Sequence, residues 1–435
     1  MNGRTRFLLI GASPLACTLV LLACTSDPPH EAFDGSDGGA PDAVANLPEA
    51  SPDPADAGIV DARTPFDGSD EALTCTATPC VTDLVAGANH FCALLADHTV
   101  QCWGSAYVQF GHYDGGGDWD PAQSRPLSMG LSNVTQLSAE GNTTCARFGD
   151  GTVKCWGSNF GGAIEPLADD FEPHDPTPIP ITDVARVDIA AFNVVFATKT
   201  SGELWSWGAQ GDALARPDVT TRYVGPGRAN TDGAKIVRAG GTAQVGLAVT
   251  DEARLLLWGG NNPMVPYPGP VPVPAFGLEN VLHAAASVSH VCAVADGHLY
   301  CWGRNGNAAC SGLVDAVMSP LEIKTHGLAR PQQVAVNDQG TCVRMTNGSI
   351  QCCGSDDHGQ LGTGEEDAGA DSSFVLIEAK AFVGHAIRVA LGQQTTCALV
   401  QGGSVQCWGS NEYGQLGQGT RDKDRHPAPV TVAFQ

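Results

Sequence analysis

The chain of 435 residues is long enough for two or three ordinary domains or for one large ring of repeats. It contains 53 glycines and 28 prolines, and only 16% of its residues are charged, a composition that favours many short strands and turns over long helices. Its formal net charge of −24 makes a surface that repels phosphate backbones, so we expect no sequence-independent binding of nucleic acid.

The N-terminus carries the features of an export signal. Arg4 and Arg6 precede an apolar run over 7–23, which is marginal for a membrane-spanning helix of roughly 20 residues. The run ends in Leu21-Leu22-Ala23-Cys24, which resembles the lipobox of bacterial lipoproteins. The resemblance implies cleavage before Cys24 and lipid on its sulfur, with ordinary signal cleavage as the alternative. Thr25 stands where the inner-membrane retention signal of that family has Asp, which favours an outer-membrane address.

The segment after Cys24 has the composition of a disordered tether. Residues 25–74 hold twelve acidic side chains and one basic side chain, Arg63, among many Ala, Pro, Gly and Ser. So little apolar content cannot offset the entropy of ordering. The pentapeptide Phe-Asp-Gly-Ser-Asp occurs at 33–37 and 66–70 but lacks the spacing of a calcium loop, so we expect no metal. We therefore divide the chain into a signal peptide, 1–23, a tether, 24–74, and a repeat domain, 75–435.

The repeat domain consists of seven units. Each unit has a Trp-Gly pair or its equivalent, and these are spaced by 44 to 55 residues: Trp103, Trp156, Trp207, Trp258, Trp302, Cys353 and Trp408. An alternating segment precedes each hairpin: Val81–Ala86, Val134–Ala139, Val184–Ala190, Lys235–Ala239, Val281–Ala286, Pro331–Val336 and Ile387–Leu391. Three to four strands per unit at this period predict the blades of a β-propeller.

The motif of these units resembles a known repeat. The pattern Cys-Ala-Leu…Gly-x-Val-x-Cys-Trp-Gly-Ser-Asn-x-x-Gly-Gln-Leu-Gly is complete over Cys397–Gly417, and its second-best copy is Cys342–Gly362. This is similar to the repeat of the regulator of chromosome condensation family. The resemblance covers about 75–430 and implies an all-β, seven-bladed propeller. Unit six departs from the motif, with Cys353 in the place of tryptophan.

The C-terminal segment predicts how the ring closes. Little sequence precedes the first unit at Val81, whereas 427–434 alternates like a strand after the last unit. We expect this strand to complete the first blade and to remove its exposed edge.

Most of the sixteen cysteines fall in pairs. Five units have one cysteine on each hairpin strand: Cys92/Cys102, Cys145/Cys155, Cys292/Cys301, Cys342/Cys352 and Cys397/Cys407. The other two units lack both, as a covalent pair requires. Counting outward from the Asp296-Gly297 turn places Cys292 opposite Cys301, with Cα atoms about 4.5 Å apart, within disulfide range. Zinc is the alternative, but two ligands on each of several blades cannot converge on one ion.

The remaining cysteines have less certain partners. Cys75 and Cys80 are expected to close a small loop at the start of the repeat domain. Cys310 stands where the motif has leucine, and Cys353 stands where the next unit has tryptophan. Both positions are normally buried, so the sequence is compatible with a bridge between neighbouring blades or with two separate buried thiols.

No catalytic constellation is visible. His90 and His290 occupy the same slot in two units that are not adjacent, which favours a structural role, and no sialidase-type Asp box is present. The better candidates for binding are the loops between the blade strands, because propeller functions are placed there. Their aromatic residues are Tyr107, Phe110, Tyr113, Trp119 and Tyr267.

These features favour a lipid-anchored, non-enzymatic, monomeric scaffold that binds another protein at the bacterial cell envelope, without a cofactor. A carbohydrate-binding module at the cell surface is the alternative. The family resemblance also implies two less favoured activities. One is guanine-nucleotide exchange, as in a nuclear member that docks on chromatin, and the other is inhibition, as in a secreted bacterial inhibitor of β-lactamases.

Overall fold

The computed structural model describes residues 71–105, 124–165, 173–190, 194–209, 211–242, 244–260, 264–265, 268–304, 310, 317–364 and 372–434. These residues form seven four-stranded antiparallel sheets, each built from four consecutive strands. First strands of neighbouring sheets contact one another, and the first strand of the last sheet contacts that of the first. The fold is therefore a closed seven-bladed β-propeller, and the predicted fold class is confirmed.

The first strand of each blade is the innermost. These strands are β1 (Val81–Ala86), β5 (Val134–Glu140), β9 (Val184–Ala190), β13 (Ile236–Gly241), β17 (Val281–Ala286), β21 (Pro331–Val336) and β25 (Ala386–Leu391). They agree with the alternating segments read from the sequence to within one residue at the start and two at the end.

The second and third strands form the central hairpin of each blade. The second strands are β2 (His90–Leu95), β6 (Thr143–Phe148), β10 (Val194–Lys199), β14 (Val245–Thr250), β18 (His290–Ala295), β22 (Gly340–Met345) and β26 (Thr395–Val400). The third strands are β3 (Val100–Gly104), β7 (Val153–Ser158), β11 (Leu204–Ala209), β15 (Leu255–Gly259), β19 (His298–Gly303), β23 (Ile350–Gly354) and β27 (Val405–Gly409).

The fourth strand forms the outer edge of each blade. These strands are β4 (Leu127–Ser128), β8 (Pro173–Ile179), β12 (Tyr223–Arg228), β16 (Gly269–Pro274), β20 (Val317–Ile323), β24 (Ser373–Glu378) and β28 (Val430–Thr431). A short 3-10 helix, Asp212–Leu214, lies between the third and fourth strands of blade three.

Prolines protect most of the outer edges. The third strand of each blade has a position that holds the second cysteine of the hairpin or its equivalent, and this position pairs with a residue of the fourth strand. In six blades a proline comes directly before that paired residue: Pro126, Pro176, Pro226, Pro272, Pro320 and Pro429. A proline has no N–H to offer to another strand, so it discourages edge-to-edge pairing. Blade six has the buried Leu376 at this position, which packs in one cluster with Cys310 and Cys353.

The core lies between blades and is joined by tryptophan. In five blades the buried indole Nε1 donates a hydrogen bond to a carbonyl of the preceding blade: Trp103 to Gln415, Trp207 to Ala163, Trp258 to Ala213, Trp302 to Met264 and Trp408 to Gln360. In every case the next residue of the preceding blade is a buried aliphatic side chain, such as Leu416 or Leu361. The Trp-Gly motif therefore acts at the blade interfaces.

The expected strand donation at ring closure is wrong. The C-terminal strand β28 pairs with β27 of its own blade, where Val430 lies opposite Cys407. Blade one has a fourth strand of its own, β4, which is only two residues long and gives almost no sequence signal. The C-terminus still contributes by packing, because the Phe434 ring lies edge-on to the Trp103 ring of blade one, with centroids 5.6 Å apart.

The segment before β1 also closes the ring. We call residues 71–80 the N-terminal strap. Two backbone N–H groups of the strap donate to the turn between β26 and β27 of blade seven, Thr74 to Gln401 and Thr76 to Gly402, both at 2.9 Å. Val81, the first residue of β1, donates to Gly403 of the same turn, also at 2.9 Å. Glu71 pairs with the fully buried Arg344 of blade six and with His385. Within the described residues, Glu71 therefore already contacts the propeller.

The paired cysteines are placed in disulfide-capable geometry. The five hairpin pairs lie opposite each other with Cα atoms 4.0 to 4.1 Å apart. The register counted from Asp296-Gly297 is confirmed, from Ala295 opposite His298 to Cys292 opposite Cys301. The structure also joins Cys75 to Cys80 and Cys310 to Cys353, with Cα separations of 5.5 and 5.6 Å.

Candidate functional site: the central channel

One backbone irregularity directs a side chain from every blade toward the channel. In all seven first strands the register with the second strand shifts by one residue, a β-bulge at the second position. A buried residue starts each strand, and a polar side chain follows two residues later. We call these seven residues the polar ring: Asp83, Gln136, Arg186, Arg238, His283, Gln333 and Arg388.

Polar-ring residues bind neighbouring blades together. The Gln136 amide makes two hydrogen bonds with the Val187 backbone, at 2.7 and 2.9 Å, and Gln333 makes two with Val389, both at 3.0 Å. Arg388 of blade seven forms an ion pair with Asp83 of blade one at 2.6 Å.

Blades three, four and five are joined in the same way. Arg186 pairs with Asp188 at 2.8 Å, and the Asp188 carboxylate accepts the Ala239 N–H of blade four. Arg238 of blade four contacts His283 of blade five. The polar ring therefore has a structural role in addition to any binding role.

Histidine joins the two remaining interfaces. His90 Nε2 lies 2.8 Å from Thr144 Oγ1 of blade two, and His290 Nε2 lies 2.8 Å from Thr341 Oγ1 of blade six. Both rings are fully buried, and burial lowers the pKa of each histidine to about 4. A Cβ on Gly87 would collide with the His90 ring, so glycine makes room for it. These contacts support the structural role expected for the two histidines.

Four arginines act electrostatically on one histidine of the polar ring. Burial holds the pKa of His283 well below its usual value, and the charges of Arg238, Arg186, Arg388 and Arg344 lower it further. Four guanidinium groups thus act on one point of the channel. His283 stays neutral there because a further positive charge would be repelled.

One mouth of the channel is a basic cavity. It lies at the end where the linkers between blades run, which we call the linker face. The cavity has a volume of about 750 Å³. Its charged lining consists of Arg147, Arg186, Lys199, Lys235, Arg388, Asp83 and Asp251. Five positive and two negative side chains leave an excess of positive charge.

The opposite mouth is apolar and acidic. It lies where turns join the first strands to the second strands, which we call the turn face, and its cavity measures about 450 Å³. The apolar side chains that line it are Ala86, Ala88, Phe160, Ala286, Val288, Val336 and Leu391. Phe160 is 45% exposed. The charged groups in the described lining are Glu140 and Asp338, and both are acidic.

Glu140 is strongly perturbed at this mouth. Burial and the negative charge of Asp338 raise the pKa of Glu140 to about 7, although a hydrogen bond from the Gly141 backbone acts in the opposite direction. Asp338 is exposed and accepts the Val288 N–H at 3.1 Å. At neutral pH the Glu140 carboxyl is therefore close to half ionised, and a cation beside it would favour the ionised form.

The binding loops predicted from the sequence cannot be placed by this structure. Tyr107, Phe110, Tyr113, Trp119 and Tyr267 lie outside the described residues, as does Cys24.

The polar ring is not predicted by the sequence analysis, although one signal indicates it: a polar residue stands two positions after the first buried residue in all seven units. Within the described residues no group of three or more His, Cys, Asp or Glu is arranged to hold a metal ion. The described part of the chain also has no helix that is long and apolar enough to cross a membrane.

Models of one family match parts of the propeller. The regulator of chromosome condensation (RCC1) repeat matches residues 81–107 and 386–415 in one model and 402–434 in a second. These segments lie in the first and last blades, and the last blade contains the complete copy of the motif.

Several curated proteins are similar over parts of their length. The chain is 31% identical to the ultraviolet-B receptor UVR8 of Arabidopsis thaliana, over 38% of this chain and 37% of that one. It is 27% identical to the human E3 ubiquitin-protein ligase HERC2, over 66% of this chain and 6% of that one. It is 27% identical to the secretion-regulating guanine nucleotide exchange factor of Mus musculus, over 44% of this chain and 45% of that one. The chain spans less than half the length of each of these relatives.

Solved structures share the fold. The crystal structure of Prp20p from Saccharomyces cerevisiae matches with a TM-score of 0.64 at 19% identity, over 82% of this chain and 87% of that one. Human WBSCR16 matches with a TM-score of 0.60 at 17% identity, over 73% and 86%. The chain therefore carries matches to the regulator of chromosome condensation (RCC1) repeat in its first and last blades, and it shares its fold with these solved structures.

Proposed function

We propose that this protein is a non-enzymatic, monomeric scaffold that binds another protein and is held at the bacterial cell envelope by lipid on Cys24. The observation that carries the binding role is the turn-face cavity. An apolar concave surface with a few convergent polar groups is the usual form of a binding site. In its described lining, the side chains suit contact and charge recognition rather than bond-breaking chemistry.

The charge of this cavity favours a basic partner. Glu140 and Asp338 lie at the same mouth, and a Lys or Arg side chain entering it would relieve their repulsion. Phe160 lines the same cavity, where an aromatic ring adds to the attraction of a cation. A methylene stem would meet the alanine, valine and leucine side chains. Binding should therefore favour ionised Glu140 and release protons near neutral pH.

The names of similar proteins support a role in binding. Prp20p has binding properties to Gsp1p and histones, and a second structure has Kap60 bound to yeast RCC1. One curated relative is a receptor and another is an exchange factor. These relatives support protein recognition as the common theme.

A binding experiment tests the proposal at the turn face. Purified full-length protein is immobilised and exposed to envelope extract, and bound proteins are compared between the wild type and Phe160→Ala or Glu140→Gln. The matched control is Phe374→Ala, because Phe374 on β24 is 41% exposed and lies on the outer edge of blade six.

We expect a partner that the wild type and the control retain and that both turn-face variants lose. A partner retained equally by all four proteins would contradict binding at the turn face. A glycan array distinguishes this proposal from the alternative function. Binding of a sugar without a protein partner would favour the carbohydrate-binding module.

Anchoring needs its own test. Palmitate labelling of the expressed protein should depend on Cys24, and the Cys24→Ala variant should leave the membrane fraction. A Cys24→Ala variant that is still labelled and still sediments with membranes would rule out the lipid anchor.

A further inference from the structure

The linker-face cavity has a charge opposite to that of the protein as a whole. Its five basic and two acidic side chains give an excess of three positive charges, in a chain whose formal net charge is −24. A concave basic surface in an acidic protein concentrates the field that attracts small anions.

The basic side chains sit at different depths. Arg147, Arg186 and Arg388 are half-buried, with Arg186 and Arg388 side chains 19% and 18% exposed. Lys199 is also half-buried and donates to the Thr182 carbonyl, whereas Lys235 is exposed. An anion that enters would therefore meet Lys235 before the half-buried guanidinium groups.

The guanidinium groups retain capacity to donate. An arginine has five N–H donors in a planar fork that fits an oxyanion. Arg147 donates from Nε to the Val184 carbonyl and from Nη1 to Thr135 Oγ1. Arg388 uses Nη1 for Asp83. The contacts described for these two arginines therefore leave donors for a ligand.

The deeper channel reinforces the attraction. Arg238 of the polar ring acts electrostatically on the same histidine as Arg186 and Arg388. Arg344 on β22 acts on it as well, although Glu71 is paired with this arginine. Asp83 and Asp188 offset part of this charge, so the balance can be changed in either direction by substitution.

We propose that the linker-face cavity binds a small polyvalent oxyanion, a polycarboxylate or a phosphate compound, through Arg147, Arg186 and Arg388. A volume of about 750 Å³ accommodates a small organic anion and has space beyond what a single phosphate fills. The proposal is independent of partner binding, because the turn-face cavity lies at the other end of the channel.

The test is calorimetric titration of the purified full-length protein with citrate and, separately, with inorganic phosphate. Ionic strength is held constant with sodium chloride, so that general screening does not contribute. Citrate reports on carboxylate recognition, and phosphate reports on recognition of a compact oxyanion. Saturable binding of at least one of them is expected.

Two substitutions should act in opposite directions. Arg388→Gln removes a charge-assisted donor and should weaken binding roughly tenfold or more. Asp83→Asn removes the carboxylate that competes for Arg388 and keeps an oxygen for the Leu84 N–H, so it should tighten binding severalfold. The second variant keeps the test decisive if the first destabilises the ring.

The matched control is Arg254→Gln. Arg254 is an arginine with a carboxylate partner, Glu252, but its side chain is 51% exposed and it is not among the residues that line the cavity. Its substitution should leave binding unchanged. The proposal is overturned if neither probe binds above the chloride background, or if Arg388→Gln and Asp83→Asn bind as the wild type does.

Discussion

Cys310 and Cys353 lie together at the interface of blades five and six. Cys310 takes the position of the aliphatic side chain at other interfaces, and Cys353 takes the position of the tryptophan. At the next interface, for example, Trp408 lies against Leu361 and donates to the Gln360 carbonyl just before it. Cys310 and Cys353 are both buried, and their Cα atoms are 5.6 Å apart. A covalent bond between these positions would replace the hydrogen bond and the packing contact together.

This relationship predicts a non-additive pair of substitutions. Cys310→Ala and Cys353→Ala should each remove the same cross-link, which spans 43 residues of sequence and should contribute about 4 kcal/mol to the free energy of unfolding. The double variant should then lose little more than either single variant. Denaturant unfolding under oxidising conditions measures all three. Additive losses of about 1 kcal/mol each would indicate two separate thiols.

The hairpin cysteines predict a specific peptide map. Digestion without reduction should give Cys92–Cys102, Cys145–Cys155, Cys292–Cys301, Cys342–Cys352 and Cys397–Cys407, together with Cys75–Cys80. The hairpin pairs close short loops, so each should stabilise the fold by about 3 kcal/mol or less. Mass spectrometry that finds free thiols or stoichiometric zinc at these positions would contradict the pairing.

The N-terminal strap predicts that one carboxylate before the repeats is important for stability. Arg344 is fully buried, and Glu71 is its acidic partner. Glu71→Gln removes an acidic partner of this buried charge, which should cost about 3 kcal/mol or more. The control is Glu412→Gln, because Glu412 pairs with Lys423, whose side chain is 83% exposed, and that change should cost less than about 1 kcal/mol. Equal melting temperatures for the two variants would show that the strap does not secure the ring.

His90 and His290 predict a loss of stability in mild acid. Their pKa values are lowered from a usual value of 6.5 to about 4, so the unfolded chain binds more protons between these limits. The contribution of the two histidines to the free energy of unfolding should therefore be constant above about pH 6.5 and fall as the pH decreases toward 4, by roughly 3 kcal/mol for each histidine.

Glu140 contributes with the opposite sign. Its pKa is raised to about 7, so it stabilises the fold below about pH 4.5, and that contribution is lost as the pH rises through 7. The two effects are separated by comparing the wild type with a His90→Gln/His290→Gln variant across this range by denaturant unfolding. A constant difference between the two proteins from pH 4 to 7 would contradict the histidine assignment.

The strands of the blades could be predicted from the sequence because each unit repeats the same local pattern of apolar and turn residues. Alternation marked the first strands, and the Asp296-Gly297 turn determined the register of a whole hairpin. The closure of the ring was not readable, because it depends on contacts between residues more than 300 positions apart. Thr76 and Gly402 meet in the strap, and Phe434 meets Trp103.

The candidate site was hidden for a different reason. Strict alternation puts Val81 and Asp83 on the same face of the strand. Because Val81 is apolar, that pattern predicts an apolar residue at position 83 and gives no reason for a carboxylate there. The bulge at Thr82 changes the direction of the backbone, and composition does not reveal it. Glu140 and Asp338 are 198 positions apart, and only the geometry of the ring brings them to one mouth.

The bulge in each first strand lies between a residue that packs in the core and a residue that faces the channel. In each blade the aliphatic or proline residue at the strand start is buried, whereas the residue two positions later is an acid, an amide, a guanidinium or an imidazole without any change of backbone. Each blade thus has one position that carries a different polar side chain on the same backbone, and for most of them the neighbouring blade supplies the partner. The charge inside the channel therefore depends on seven positions that do not alter the sheets themselves.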